Sequence, residues 1–412
     1  MAFKSKQNRT IVLPIKEKDY DSFVTNNLVA HDSLEHFISI MPECFPVEIH
    51  LGFQLNGRDR VSKKTGLVQR RVKICGVIYR VRPSFLLSYQ RGKTSEAASG
   101  LLLIRHGVPF WVVAHILGRN PMWWYRLFIS LSLYSIVGTT IRQESNLPEH
   151  ILADEHHIKI QGKKAYVATT VGHNCFLGMD VSYNCDQEAL QDSYEVFKLE
   201  AADLVPDYQP TTANTDGWWA TQNALKALYP MIVIIECFLH GFLKVRDRAT
   251  KKMKAVFDLA GDKIWDCYKA ESKRSLAQKI RRLTEWTTKI KESPMQKNIL
   301  KFCNKKERWM QHLDYPDAYR TSNSLDRLMR CMKKHAFNSQ MFHGKKIVTT
   351  TKNFRALALL HNFTPYYPSQ HNKGELNSPT AKLNGFTYHS NWLHHLMISA
   401  SLGGFRNQRN PL

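Results

Sequence analysis

Three strand-length stretches, residues 151–160, 165–171 and 175–181, follow one another with only short turns between them, at Gly162 and at Gly172 to Asn174. Turns that short join strands as hairpins. A helical pattern over about 186–204 comes next, then a strand ending at Asp216 and a helix over 218–228. The apolar run Met231-Ile232-Val233-Ile234-Ile235 closes the series as a buried strand. Hairpin-linked strands followed by αβαβ predict an α/β fold, a mixed sheet with helices packed on it.

The chain before this region reads differently. Residues 1–30 have the look of a loose basic arm. Residues 31–93 read as a small β-module, with period-two alternation over 47–51, 72–74 and 77–81. A basic turn, Asn56-Gly57-Arg58-Asp59-Arg60 through Lys63-Lys64-Thr65-Gly66, joins two of its strands and would serve equally as a phosphate contact or a solvated loop. Three short helices then fill 94–138. The first starts at Ser95 and stops at Gly107, and the second runs from 110 to 117 behind Pro109. The third is capped by Asn120 and opened by Pro121. Trp124, Leu127, Phe128 and Leu131 share one face of the third helix, leaving Met122, Trp123, Arg126 and Ser130 outward. Such a series is a helix-turn-helix or a plain helical bundle. In the first case Arg126 is set to read a base edge and Arg119 to hold a phosphate. Residues 139–143 read as a linker.

The balance of charge bears on that choice. The chain has 412 residues, enough for more than one domain, and carries 58 Lys and Arg against 35 Asp and Glu, a formal +23. An excess that large favours a polyanionic partner, most simply nucleic acid. Much of it falls in a helical insertion at about 245–315, with one cluster around Lys244, Arg246 and Arg248 and another that includes Arg281 and Arg282. The longest apolar run, 231–243, contains Glu236 and His240 and is too short to span a bilayer. The eight cysteines are scattered with no Cys-x-x-Cys, which suggests buried thiols in a reducing compartment. The expectation is a soluble cytoplasmic protein, nucleoid-associated when bound to DNA, with no membrane partner.

Three acids stand out. Asp154 shares a strand face with Leu152, Ile158 and Ile160, and a carboxylate among aliphatics is usually paired or metal-bound. Asp216, followed by Gly217 and a helix, would also serve as an N-cap. Asp326, in Thr321-Ser322-Asn323-Ser324-Leu325-Asp326-Arg327, would also complete a capping box with Asn323. Together, two strand acids and one on a later helix offer the separate carboxylates that Mg²⁺ prefers.

With these motifs, and with Cys237-Phe238-Leu239-His240 and Arg246-Asp247-Arg248, residues 40–343 resemble the DDE/D transposases of bacterial insertion sequences, specifically the Mutator-like superfamily. The resemblance implies an RNase H-like catalytic domain over 139–344, its acids meeting at one end of the sheet, ahead of a C-terminal tail over 345–412. It implies Asp154, Asp216 and Asp326 as catalytic ligands of two Mg²⁺ ions, with Mn²⁺ able to substitute. Cys237, His240 and Asn323 would support the site rather than bind zinc. The implied partners are DNA, as terminal inverted repeats and target, and further copies of the chain in a synaptic complex. Asp326 departs from the Glu usual in Mutator-like members. The rivals are a nuclease of the same fold and a non-catalytic DNA-binding protein derived from a transposase.

Overall fold

A computed structural model describes residues 8–62, 66–88, 92–338, 346–367 and 376–405. The Lys63-Lys64-Thr65 part of the basic turn lies outside them. In chain order the elements are β1 (Thr10–Leu13), α1 (Tyr20–Thr25), α2 (Asn27–Ile40), β2 (Gln54–Arg58), β3 (Arg70–Ile74), β4 (Val77–Pro83), α3 (Thr94–Arg105), α4 (Phe110–Leu117), α5 (Pro121–Ser130) and α6 (Ile136–Thr140). Then come β5 (His150–Ile160), β6 (Lys163–Gly172), β7 (Cys175–Ser182), α7 (Gln187–Ala202), β8 (Thr212–Thr215), α8 (Trp219–Leu228) and β9 (Val233–Glu236). The remainder is helical: α9 (Phe238–Arg246), α10 (Lys254–Tyr268), α11 (Lys273–Thr287), α12 (Pro294–Asn304), α13 (Lys306–Gln311), α14 (Asn323–Asn338), α15 (Ile347–Phe363), α16 (Pro379–Asn384) and α17 (Trp392–Ser399). The fold is α/β, with two mixed sheets of hydrogen-bonded order β1-β4-β3-β2 and β7-β6-β5-β8-β9. Among the described residues no helix is long and apolar enough to cross a membrane.

The chain forms two compact units. The first is Met1–Pro148 with Glu155–Tyr208 and Met329–Leu412, and the second is Glu149–Asp154 with Gln209–Leu328. The division passes through β5 and α14.

In the first unit several expectations are corrected. Residues 10–30 are not a loose arm. Strand β1 pairs in parallel with β4, and the buried Arg70 ties the sheet to α1 and α2 by donating to Phe23 O at 2.6 Å and Asn27 Oδ1 at 2.9 Å. Residues Val47–Leu51 form a 3₁₀ turn rather than a strand, between Pro46 and Gly52, whose φ of 92° reverses the chain. Cys75 is exposed in the turn between β3 and β4. The helices α3, α4 and α5 form as expected. Asn120 Oδ1 caps α5 by accepting from Met122 N at 2.8 Å. Trp124 lies so close over Gly100 that a Cβ there would meet its ring at 2.3 Å. Ser130 does not face outward: it is buried and donates to Leu127 O. The three helices are not set apart as a module, since Phe128 meets His335 of α14 at 5.4 Å and Arg105 donates to His361 of α15 at 2.8 Å.

The expected linker 139–143 begins inside the buried helix α6. Its N-terminus is capped by Glu200 Oε2, which accepts from Ile136 N at 2.6 Å and Val137 N at 3.0 Å, while Glu200 Oε1 accepts from Arg355 Nη2 at 2.5 Å. Arg355 belongs to the supposed tail. Helix α15 is buried nearly all round, and Asn362 both donates to Phe176 O at 2.8 Å and accepts from Phe176 N at 2.9 Å on β7. Residues 350–363 are therefore largely core.

In the second unit β5 pairs in parallel with β8, and β8 with β9. Strand β9 begins at Val233, two residues later than the apolar run predicts, and Met231 is 81% exposed. The insertion is helical as expected. Helices α9 to α13 enclose a core of their own around Phe238, whose ring meets those of Tyr268, Phe302 and Trp309 at 5.2, 5.2 and 5.4 Å. Every fourth or so residue of α11 (Leu276, Ile280, Leu283, Thr287) points into it, which turns Arg281 and Arg282 to solvent.

Two histidines, the half-buried His361 and the buried His395, make the first unit acid-sensitive. Burial pushes His361 down to about 3, and Arg105 donating to its Nδ1 reinforces this. Burial pushes His395 to about 3 as well, and its Nδ1 accepts from Tyr388 N at 3.3 Å. In the unfolded chain each takes a proton below its ordinary 6.5, which the folded protein refuses until about pH 3. Stability present above pH 6.5 is thus lost as pH falls, by about 1.4 kcal/mol per histidine per pH unit. Denaturant titrations at pH 7 and pH 5 should show this slope and its partial removal in His361→Gln. An unchanged slope in the variant would reject the assignment.

Candidate functional site

The site grows from the register of two parallel strands. Leu152 of β5 is paired with Asn214 of β8, and His150 Nδ1 lies 3.0 Å from Thr212 Oγ1 across the same pair of strands. Alternation puts Asp154 on the face of Leu152 within β5, and Asp216 follows the last residue of β8, two residues past Asn214. The chain leaves β8 at Thr215. Gly217 turns it with φ 93°, and Asp216 Oδ1 accepts from Trp218 N at 2.8 Å ahead of α8. Both acids are half-buried.

The third acid arrives through the Cys237-x-x-His240 segment. Strand β9 ends at Glu236, and Cys237 is the last residue before α9. Phe238 N donates to Arg320 O at 3.0 Å, which holds the start of α9 against the segment that leads into α14. Ser322 then meets both motif residues and the acid. Its N–H donates to Cys237 Sγ at 3.2 Å, and its Oγ lies 3.4 Å from His240 Nδ1 and donates to Asp326 Oδ2 at 3.3 Å. A hydrogen bond with the Cys237 sulfur raises His240 to about 9 against the opposing effect of burial, and the negative charges of Asp154 and Asp326 add to the rise. Burial alone would push the Cys237 thiol up, but its hydrogen bonds with His240 and Ser322 hold it below its ordinary range. Cys237 is fully buried, so its sulfur acts as a structural acceptor.

Of the sequence-derived site residues, Asp154, Asp326, Cys237 and His240 thus come together around one imidazole, and Asp216 is brought alongside Asp154 by register. Asn323 is exposed at the first position of α14, and its neighbour Ser322 makes the contacts assigned to it. The expected Asn323–Asp326 capping box is replaced by the Ser322–Asp326 bond. Arg119 and Arg126 are exposed in the other unit. Arg119 pairs with Glu96 at 3.4 Å and lies 5.4 Å over the Trp123 ring. Lys244, Arg246 and Arg248 are exposed at the end of α9, and Arg281 pairs with Glu285 at 2.9 Å.

Besides Ser322, sequence reasoning gave no role to two further groups. Glu236 is buried at the end of β9, paired to Lys305 and to Arg308 at 2.9 Å, and it packs on the Asp216-Gly217 turn so closely that a Cβ on Gly217 would meet its Oε1 at 2.7 Å. Asn214 is buried, with Nδ2 donating to Tyr319 O at 2.8 Å and no hydrogen-bond partner for Oδ1. The turn signal Asp-Gly and the polar Asn-Thr-Asp run were the available clues.

The donor chemistry suits a hard cation. Carboxylates from β5, the end of β8 and α14 share a half-buried site, and the unpartnered Asn214 Oδ1 lies on the same strand face as Asp216. Among the described residues the one group of potential ligands whose atoms all fall within 4.8 Å is elsewhere, at the exposed His31, Asp32 and Glu35 of α2. The ligand atoms of Asp154, Asp216 and Asp326 do not all lie within that distance of one another.

The electrostatic arrangement has a direct readout. In chelator-treated protein, NMR should give His240 a titration midpoint near 9, falling toward 6.5 in Cys237→Ala. Because the folded value is raised, the stability this imidazolium contributes is full below pH 6.5 and is lost as pH rises through about 9. A wild-type midpoint near 6.5 would show that the described hydrogen bonds do not form.

No family model matches the chain, and no curated protein matches it in sequence.

Proposed function

We propose that the protein is a DNA transposase with an RNase H-like catalytic core, which cleaves at the ends of its element and joins the freed 3′-hydroxyl to target DNA. One observation carries the reading. Ser322 links residues distant in sequence, meeting Cys237, His240 and Asp326, and the β5–β8 register sets Leu152, two residues before Asp154, opposite Asn214, two residues before Asp216. The strand order β7-β6-β5-β8-β9 supports it: numbered from β5 this is 3-2-1-4-5, with the two strand acids on the adjacent strands 1 and 4.

Asp154, Asp216 and Asp326 would hold a pair of Mg²⁺ ions, or Mn²⁺ in their place, which when bound supply Lewis-acid assistance to phosphodiester cleavage. The residues of the chain do the rest. The Cys237–His240–Ser322 network fixes the Asp326 carboxylate, and Glu236 braces the turn that carries Asp216. Exposed Lys and Arg of α9 to α12 track the phosphate backbone without reading sequence. In the first unit Asn120 caps α5, which offers Met122 and Arg126 to a groove, the arrangement by which helix-turn-helix proteins read terminal repeats. Water attacks the phosphorus at the element's end and the 3′-oxygen leaves. That 3′-hydroxyl then attacks a target phosphodiester, with no covalent enzyme intermediate. Joining two ends calls for more than one copy of the chain.

The inverted repeats that flank the gene provide the substrate. Asp154→Ala, Asp216→Ala and Asp326→Asn should each abolish Mg²⁺-dependent cleavage while changing end binding by less than about 1.4 kcal/mol, tenfold. Arg126→Ala should cost about 1–3 kcal/mol in binding and relax specificity. Cleavage retained in any acid variant with a wild-type melting temperature removes that residue from the site. Cleavage without strand joining identifies a nuclease, and binding that survives with no cleavage in the wild type identifies a pure binder.

A further inference from the structure

Helix α8 begins three residues after Asp216 and presents a row of side chains that the reading above leaves unused. Trp219, its first residue, is 67% exposed. Gln222, Asn223 and Lys226 stand at i+3, i+4 and i+7 from it, on the same side of the helix. Ala220, Thr221, Ala224, Leu225 and Leu228 occupy the opposite side and are buried. The orientation is pinned at its acid-bearing end. Gln222 Nε2 donates to Thr215 Oγ1 at 3.4 Å and Trp218 N to Asp216 Oδ1 at 2.8 Å, so the helix is held to the end of β8.

An indole left in water forgoes the apolar burial that large aromatics normally gain, and here it does so beside a carboxylate site. The row combines three chemistries in order. It offers an aromatic face, then two amides with paired donors and acceptors, then an ammonium. Those are the components of single-stranded nucleic-acid recognition: stacking on a base, hydrogen bonds to its edge and a charge on the following phosphate.

We propose that the exposed face of α8 binds an unpaired nucleotide next to the scissile phosphate, with Trp219 stacking on its base, Asn223 on the base edge and Lys226 on the adjoining phosphate, while Gln222 holds the helix to β8. The ligand is unpaired because an indole face reaches a base face only where the duplex stack is open. The position of that nucleotide beside the scissile phosphate rests on the reading of Asp154, Asp216 and Asp326 as the cleavage site.

Its test does not depend on catalysis. The full-length protein is titrated, in chelator and without Mg²⁺, into a single-stranded oligonucleotide carrying one 2-aminopurine and, separately, into the same sequence as a blunt duplex. Stacking should quench the 2-aminopurine. Trp219→Ala should lose the quench and weaken single-strand binding by about 5- to 150-fold, with duplex binding changed less than about twofold. Trp219→Phe should restore most of the affinity. Lys226→Ala should weaken binding less and lower the slope of log affinity against log salt by about 0.7. Melting temperatures of all variants should match wild type, since these side chains are at the surface.

The inference is overturned if the wild type does not bind the single strand, if Trp219→Ala binds both forms as the wild type does, or if it weakens both equally. It is also overturned if Trp219→Ala alters the oligomeric state and leaves oligonucleotide binding intact, which would make the indole a protein contact. Failure in these binding assays leaves the acid variants' cleavage results untouched, and loss of the cleavage assignment leaves the single-strand result standing.

Discussion

The parallel register of β5, β8 and β9 is the constraint on which the site depends. Because Leu152 pairs with Asn214 and Thr215 with Glu236, the carboxyl ends of β8 and β9 fall level with the middle of β5, where Asp154 lies. A slip of one residue between β5 and β8 would send Asp154 and Asp216 to opposite faces of the sheet, since side chains alternate with period two. The register is secured by burial on both faces. Ile151, Leu152 and Ala153 are all essentially inaccessible, so a shift would leave apolar side chains unmatched on either side. Asp216 comes where the chain leaves β8, whereas Asp154 lies within β5.

Two buried carboxylates show how each unit handles internal charge. Glu200 is satisfied almost wholly by groups as buried as itself: the first amides of α6, Ser135 Oγ and Arg355. Removing either partner would leave a charge with no access to water, so the pair binds α6, α7 and α15 into one arrangement. Glu236 meets two cations whose side chains remain partly in solvent. That pair is screened more and contributes less to stability, and its close packing on Gly217 makes it chiefly a positional device for the Asp216 turn.

The large positive charge is not spread as an even coat. In the second unit the helical insertion has its own aromatic core around Phe238, which fixes which faces of α10, α11 and α12 are left for Lys and Arg. An insertion that packs its own interior holds its cations on a defined surface, as a disordered basic tail would not.

Much of this was legible in the sequence because it rests on local rules. The hairpins at Gly162 and at His173-Asn174, the Asn120 cap, the Pro121 helix start and the Asp-Gly turn after β8 depend on backbone preferences that a few residues carry. Amphipathic helices such as α11 declare their buried face by periodicity alone. What the sequence did not disclose depends on burial all round or on contacts between distant residues. Helix α15 has no continuous exposed side to give it a period, and its Arg355, His361 and Asn362 find their partners in Glu200, Arg105 and Phe176, far away in the chain. Strand β1 has only four residues, too few for a pattern, and is a strand because β4 lies beside it. Residue types and spacing, read with the resemblance to DDE/D transposases, nominated Asp154, Asp216, Asp326, Cys237 and His240. Only the tertiary structure could bring in Ser322, Asn214 and Glu236, because a hydrogen bond across 85 residues or a carboxylate resting on a glycine turn leaves no periodic trace in the chain.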